Sequence, residues 1–64
     1  MDKKAVLLAL LQLEQYRLKV QKNEIKSTAN DFTIRCCQAE LASNFFTNRN
    51  DWTKILKNEY GLVY

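Results

Sequence analysis

The chain has no proline and a single glycine, Gly61. Those two residue types supply much of the backbone geometry that tight turns need. An all-β chain needs many turns, so their scarcity predicts few elements and long helices. From Asp2 to Lys26 no residue breaks a helix, and Asp2 has the side chain to cap one. Val6, Ala9, Leu13, Tyr16 and Val20 recur at spacings of 3, 4, 3 and 4, a heptad seam on one face. Leu7, Leu11, Leu18 and Ile25 recur at 4, 7 and 7 on another face. Two stripes predict a first helix with two neighbours, either two helices of the same chain or one helix and a second subunit. Lys4, Gln12, Gln15, Lys19, Lys22 and Lys26 fall together on the remaining face. That face is expected to be solvated, with a cationic binding strip as the alternative.

The segment KSTAND is the first turn, because Ser27, Asn30 and Asp31 favour caps over helix interiors. Asn30 or Ser27 is the expected N-cap of a second helix running to about Phe46. With no glycine or proline between them, one continuous helix is the alternative. DFTIRC also alternates like a strand, but the apolar pattern continues too far without a turn. As a helix it places Phe32, Cys36, Ala39, Ser43 and Phe46 on one face. Ile34, Leu41 and Phe45 lie on another, with Cys37 at its edge. TNRND is the second turn, with Thr47, Asn48 and Asn50 as candidate caps and Asp51 suited to a helix N-terminus. Trp52, Ile55, Leu56 and Tyr60 then form a short amphipathic helix, which Gly61 and Leu62 are placed to terminate. Val63 and Tyr64 make an apolar tail that either folds back or meets a partner.

The predicted architecture is all-α: a single domain over 1–64, with helices near 3–26, 30–46 and 51–60. The first two form a long helical hairpin and the short C-terminal helix packs across it, completing a small three-helix bundle. A chain of 64 residues buries only about 60% of its unfolded surface. The two stripes of the first helix also exceed what a short third helix covers. A homodimer or an obligate protein partner is therefore expected on the face of Leu7, Leu11, Leu18 and Ile25, with Trp52 and Tyr64 as further anchors.

The sequence has no histidine, the commonest general base. Its seven carboxylates are dispersed, none three or four residues from another. A single glycine provides no phosphate-binding loop. A non-enzymatic protein without cofactor is expected. Cys36 and Cys37 are adjacent, so on a helix their side chains diverge by about 100°. That opposes both a mutual disulfide and the spaced ligand pairs of a zinc site. They are read as a small core residue, Cys36, and its flank, Cys37.

No apolar run approaches the roughly 20 residues of a membrane span. MDKKAVLLALLQL has a short apolar stretch but no cleavage site of small residues. A cytoplasmic protein is expected. The formal charge of +3 permits nucleic acid or an acidic protein as partner and requires neither.

Residues 38–56, QAELASNFFTNRNDWTKIL, loosely resemble a helix-turn-helix of the bacterial repressor type. Leu41-Ala42 match paired core positions of its first helix, Asn48 caps the second, and Trp52 and Ile55 match its buried positions. Phe46 and Thr47 depart from the glycine and small aliphatic residue usual at the turn. The resemblance implies that Arg49, Asn50, Thr53, Lys54 and Lys57 face a major groove or phosphates. Three functions follow as expectations. The first is a protein-binding regulator or inhibitor of the size found in phages and mobile elements, acting through a helical apolar surface. The others are a small DNA-binding protein using residues 38–57, and a structural subunit of a larger assembly.

Overall fold

Each helix starts where a short polar side chain can replace a missing backbone partner. The computed structural model describes residues 2–64. It contains α1 (Lys3–Gln21), α2 (Asp31–Ala42) and α3 (Arg49–Glu59), with no strand among the described residues. Asp2 Oδ1 accepts the Ala5 N–H at 2.7 Å, and Asn30 Oδ1 accepts the Thr33 N–H at 2.8 Å. At α3 the Asp51 carboxylate reaches back, accepting from the Thr47 hydroxyl at 2.8 Å and the Asn48 N–H at 3.4 Å. Those bonds, led by the Thr47 hydroxyl, hold the Asp51 carboxyl below its ordinary range.

Two helices stop earlier than their apolar pattern predicts. α1 ends at Gln21 rather than Lys26. Asn23 takes the left-handed conformation, φ 59°. Its N–H donates to the Val20 carbonyl at 3.1 Å, and the Glu24 N–H donates to Lys19 at 2.9 Å. This is a Schellman terminus in which asparagine, one of the few non-glycine types enriched in this region, replaces the usual glycine. α2 ends at Ala42 rather than Phe46, with the N–H groups of Phe45 and Phe46 both donating to the Ala42 carbonyl at 2.9 Å. The third terminus lies where the glycine predicts it. Gly61 has φ 68°, and the Leu62 N–H donates to the Leu56 carbonyl at 3.0 Å.

α1 and α2 form the antiparallel hairpin. Arg17, late in α1, pairs with Asp31 at the start of α2, whereas Glu14 meets Arg35 and Gln38 further along. At the far end the Lys3 ammonium lies 5.2 Å from the Phe46 ring centre. α3 closes the bundle against both helices. The Cα radius of gyration, 11.5 Å, is close to the roughly 11 Å expected of a compact chain of this length.

The apolar core is Val6, Leu7, Leu10, Ala42, Trp52, Leu56 and Leu62. Its position corrects the two-stripe reading of α1. The buried residues of that helix are Val6, Leu7, Leu10, Glu14 and Arg17. On the helical wheel the line Leu7–Leu10–Glu14–Arg17 falls between the two apolar stripes. The stripes are the flanks of one broad buried face whose centre carries a carboxylate and a guanidinium. α2 is likewise buried along one line, Ile34–Gln38–Ala42, and not on two sides. Phe32 is 76% exposed and Cys36 is exposed, as is Cys37. Neither Phe32 nor Cys36 is a core residue, because on the helical wheel both lie roughly 120–160° from the buried line Ile34–Gln38–Ala42.

Candidate functional site

Glu14 is fully buried, and a lone buried carboxylate would be costly. Four side chains from three parts of the chain satisfy it. Arg17, one turn on in α1, donates from Nε at 2.8 Å and Nη2 at 3.2 Å. Arg35 and Gln38, a turn apart on α2, donate at 3.2 and 3.1 Å. Tyr64 folds back beyond α3 and donates its hydroxyl at 2.8 Å. Burial pulls the Glu14 pKa up, but the Arg17, Gln38 and Tyr64 hydrogen bonds and the Arg35 charge outweigh it, holding the carboxyl at about 2. Burial and the bond to Glu14 push the Tyr64 phenol up to about 12. Arg17 is held above its ordinary value, chiefly by Glu14 and then by Asp31, with burial opposing. Two carboxylates, Glu14 and Asp31, thus balance two guanidiniums, Arg17 and Arg35.

This balanced cluster is the floor of a cationic groove of about 410 Å³. The five residues the repressor resemblance singles out, Arg49, Asn50, Thr53, Lys54 and Lys57, all line it, together with Arg35, Tyr64 and Glu14. At about 100° per residue, the five cover a continuous arc of α3 of roughly 140°. The helix's acidic residues, Asp51 and Glu59, lie outside that arc. Arg49, Asn50, Lys54 and Lys57 are exposed and Thr53 is half-buried, its hydroxyl turned to the Arg49 and Asn50 carbonyls. Lys57 reaches across to Tyr64, 5.8 Å from the ring centre. The connection between α2 and α3 is residues 43–48. It is longer than the three- or four-residue turn of a repressor motif. Phe46 and Thr47, where the sequence departs from that motif, lie within it.

The residues expected to form an apolar partner surface are dispersed by the fold. Leu7 and Trp52 are in the core, and Leu11 and Leu18 are half-buried against it. Leu62, which follows α3, is buried in the same core. Ile25 lies beyond α1 and is 37% exposed. Tyr64 is partly exposed but committed to Glu14. Lys4, Gln12, Gln15, Lys19, Lys22 and Lys26 are exposed, as a solvated face requires. Sequence patterning passed over Glu14, Arg17, Arg35 and Gln38. The available signal was spacing: residues 7, 10, 14 and 17 keep a heptad interval although two of them are charged.

Among the described residues no helix is long and apolar enough to cross a membrane, and no three His, Cys, Asp or Glu side chains are grouped to hold a metal ion. Comparison with protein-family models, curated proteins and solved structures finds no match to this chain.

Proposed function

We propose that this protein is a small non-enzymatic binding module that engages duplex DNA through the exposed face of α3. The observation carrying this reading is the arc of Arg49, Asn50, Thr53, Lys54 and Lys57, free of carboxylates and backed by Arg35. A helix presents such an arc to the major groove, where cations meet phosphates and Asn or Arg reads base edges. The reading rests on charge and exposure rather than on a repressor-type turn. The test is an electrophoretic shift on random duplex DNA at several salt concentrations. Affinity should fall steeply with salt. Reversing Arg49 and Lys54 to glutamate should abolish the shift, and the milder Lys54→Gln should flatten the salt slope by about one, as one phosphate goes unneutralised. Absence of binding at low salt, or a shift indifferent to both reversals, removes the proposal.

A second reading, a protein-binding regulator or inhibitor, is favoured by the exposure of Phe32 at 76% and Val63 at 77%. Large apolar side chains left open at two places suit a partner or a second copy of the chain. Sedimentation at micromolar concentration, with and without Phe32→Ser, separates self-association from a monomer.

A further inference from the structure

Arg35 and Arg49 also border a second cleft, between α2 and the start of α3, with a volume of about 550 Å³. That is within the usual range for small-molecule sites, about 300–1,000 Å³. Its apolar wall includes Ala39, Ala42, Phe46 and Trp52, and no carboxylate lines it. Trp52 and Ala42 are core residues, so this wall is rigid. The cationic side is underused. Arg35 makes its bonds to Glu14 and Gln38 through Nη1 alone. Its Nη2 and Nε, and the whole Arg49 guanidinium, bond to none of the described residues, though each guanidinium has five N–H donors. Burial, then the charges of Arg17 and Arg49, hold Arg35 below the usual arginine range against the pull of Glu14. An anion between Arg35 and Arg49 would relieve that repulsion.

We propose that the cleft binds a small aromatic organic acid, its ring against Phe46 and Ala39 above the buried Trp52 and its anionic group between Arg35 and Arg49. Rigid apolar walls with a few convergent charged donors are what such a ligand requires. The site stands apart from the DNA reading, since it needs no contact from Asn50, Lys54 or Lys57. Arg49 borders both, so an occupant competes with any phosphate that Arg49 holds.

The test uses 8-anilinonaphthalene-1-sulfonate as probe and its uncharged counterpart, N-phenyl-1-naphthylamine, as control. The single tryptophan, Trp52, is in the cleft wall and reports occupancy by quenching. Saturable one-to-one binding of the sulfonate is expected, at least about 10-fold tighter than the neutral dye. Arg49→Gln, at an exposed residue outside the Glu14 cluster, should weaken the sulfonate about 10-fold and leave the neutral dye unchanged. Ala39→Phe should fill the cleft and abolish both, with far-UV dichroism confirming the helices. The proposal is overturned by non-saturable binding, by equal affinity for the two dyes, or by a sulfonate affinity indifferent to Arg49→Gln.

Discussion

The two ends of the α1 face are held by opposite chemistry. Around Leu10 the interior is apolar: Val6, Leu7, Leu10, Trp52, Leu56 and Leu62 form one cluster of buried side chains. One turn further along, the same face is ionic, and Glu14 carries Arg17, Arg35, Gln38 and Tyr64. Dispersion and desolvation hold the first half and tolerate exchange of similar volumes. The second half is directional. Every buried side-chain polar atom among the described residues has a hydrogen-bond partner. Such a cluster fixes which residues of α1 and α2 stand opposite each other, a register that apolar contact alone specifies loosely.

The sharpest test of that contrast compares Glu14→Ala with Leu10→Ala. Removing Glu14 strands buried cations and should cost about 3–5 kcal/mol. Removing Leu10 side-chain volume should cost about 2–5 kcal/mol. A domain of this size has roughly 3–10 kcal/mol in total, so either variant should lose a large share of its stability and unfold at markedly lower denaturant. The two halves should then part company. Replacing Glu14, Arg17, Arg35 and Gln38 together by Leu, Met, Met and Leu should recover most of the loss, because the desolvation cost disappears with the charges. A quadruple variant as unstable as Glu14→Ala would mean that the cluster contributes net stability beyond specificity.

The next largest effect is the response to pH. Glu14 is held at about 2 against an ordinary 4.5, so its contribution is complete above the unfolded value and disappears as pH falls through the folded one. Between pH 4.5 and 2 the loss should be on the order of 3 kcal/mol. Tyr64 works in the opposite direction. Its phenol is raised from 10.0 to about 12, so the bond to Glu14 stabilises fully below pH 10 and is lost as pH rises toward 12. Unfolding of Tyr64→Phe should retain the acid limb and lose that part of the alkaline limb. An acid limb absent from the wild type would show that Glu14 is not ionised in the fold.

Smaller effects come from backbone and surface. Gly61→Ala puts a Cβ where nothing lies within 4 Å but φ is +68°, so the expected cost of about 1 kcal/mol is purely conformational. Cys36→Ala should change stability by less than about 0.5 kcal/mol, since the side chain is exposed. A larger loss on thermal unfolding would restore Cys36 to the core, where its spacing from the apolar residues of α2 predicts it.

The number of helices, their order, the caps at Asp2 and Asn30 and the terminus at Gly61 were readable in the sequence, because each depends on residues within a turn of one another. The missed ends had local causes too. Asn23 takes a left-handed conformation that asparagine adopts only in some contexts, and its neighbours do not announce which. The buried line of α1 could not be read from hydrophobicity, since Glu14 and Arg17 interrupt it and divide its apolar flanks into two apparent stripes. Whether a charged residue is buried depends on partners far along the chain, here Arg35, Gln38 and Tyr64. The cationic arc of α3 was legible for the converse reason: its residues share one helix and need only that the helix form. What lies beneath that arc was decided by tertiary structure. The hairpin brings Arg35 up beside Arg49, and the returning tail sets Tyr64 over Glu14. Local propensity fixes helices within a few residues, but only long-range contact determines which charges are neutralised and which remain free to bind.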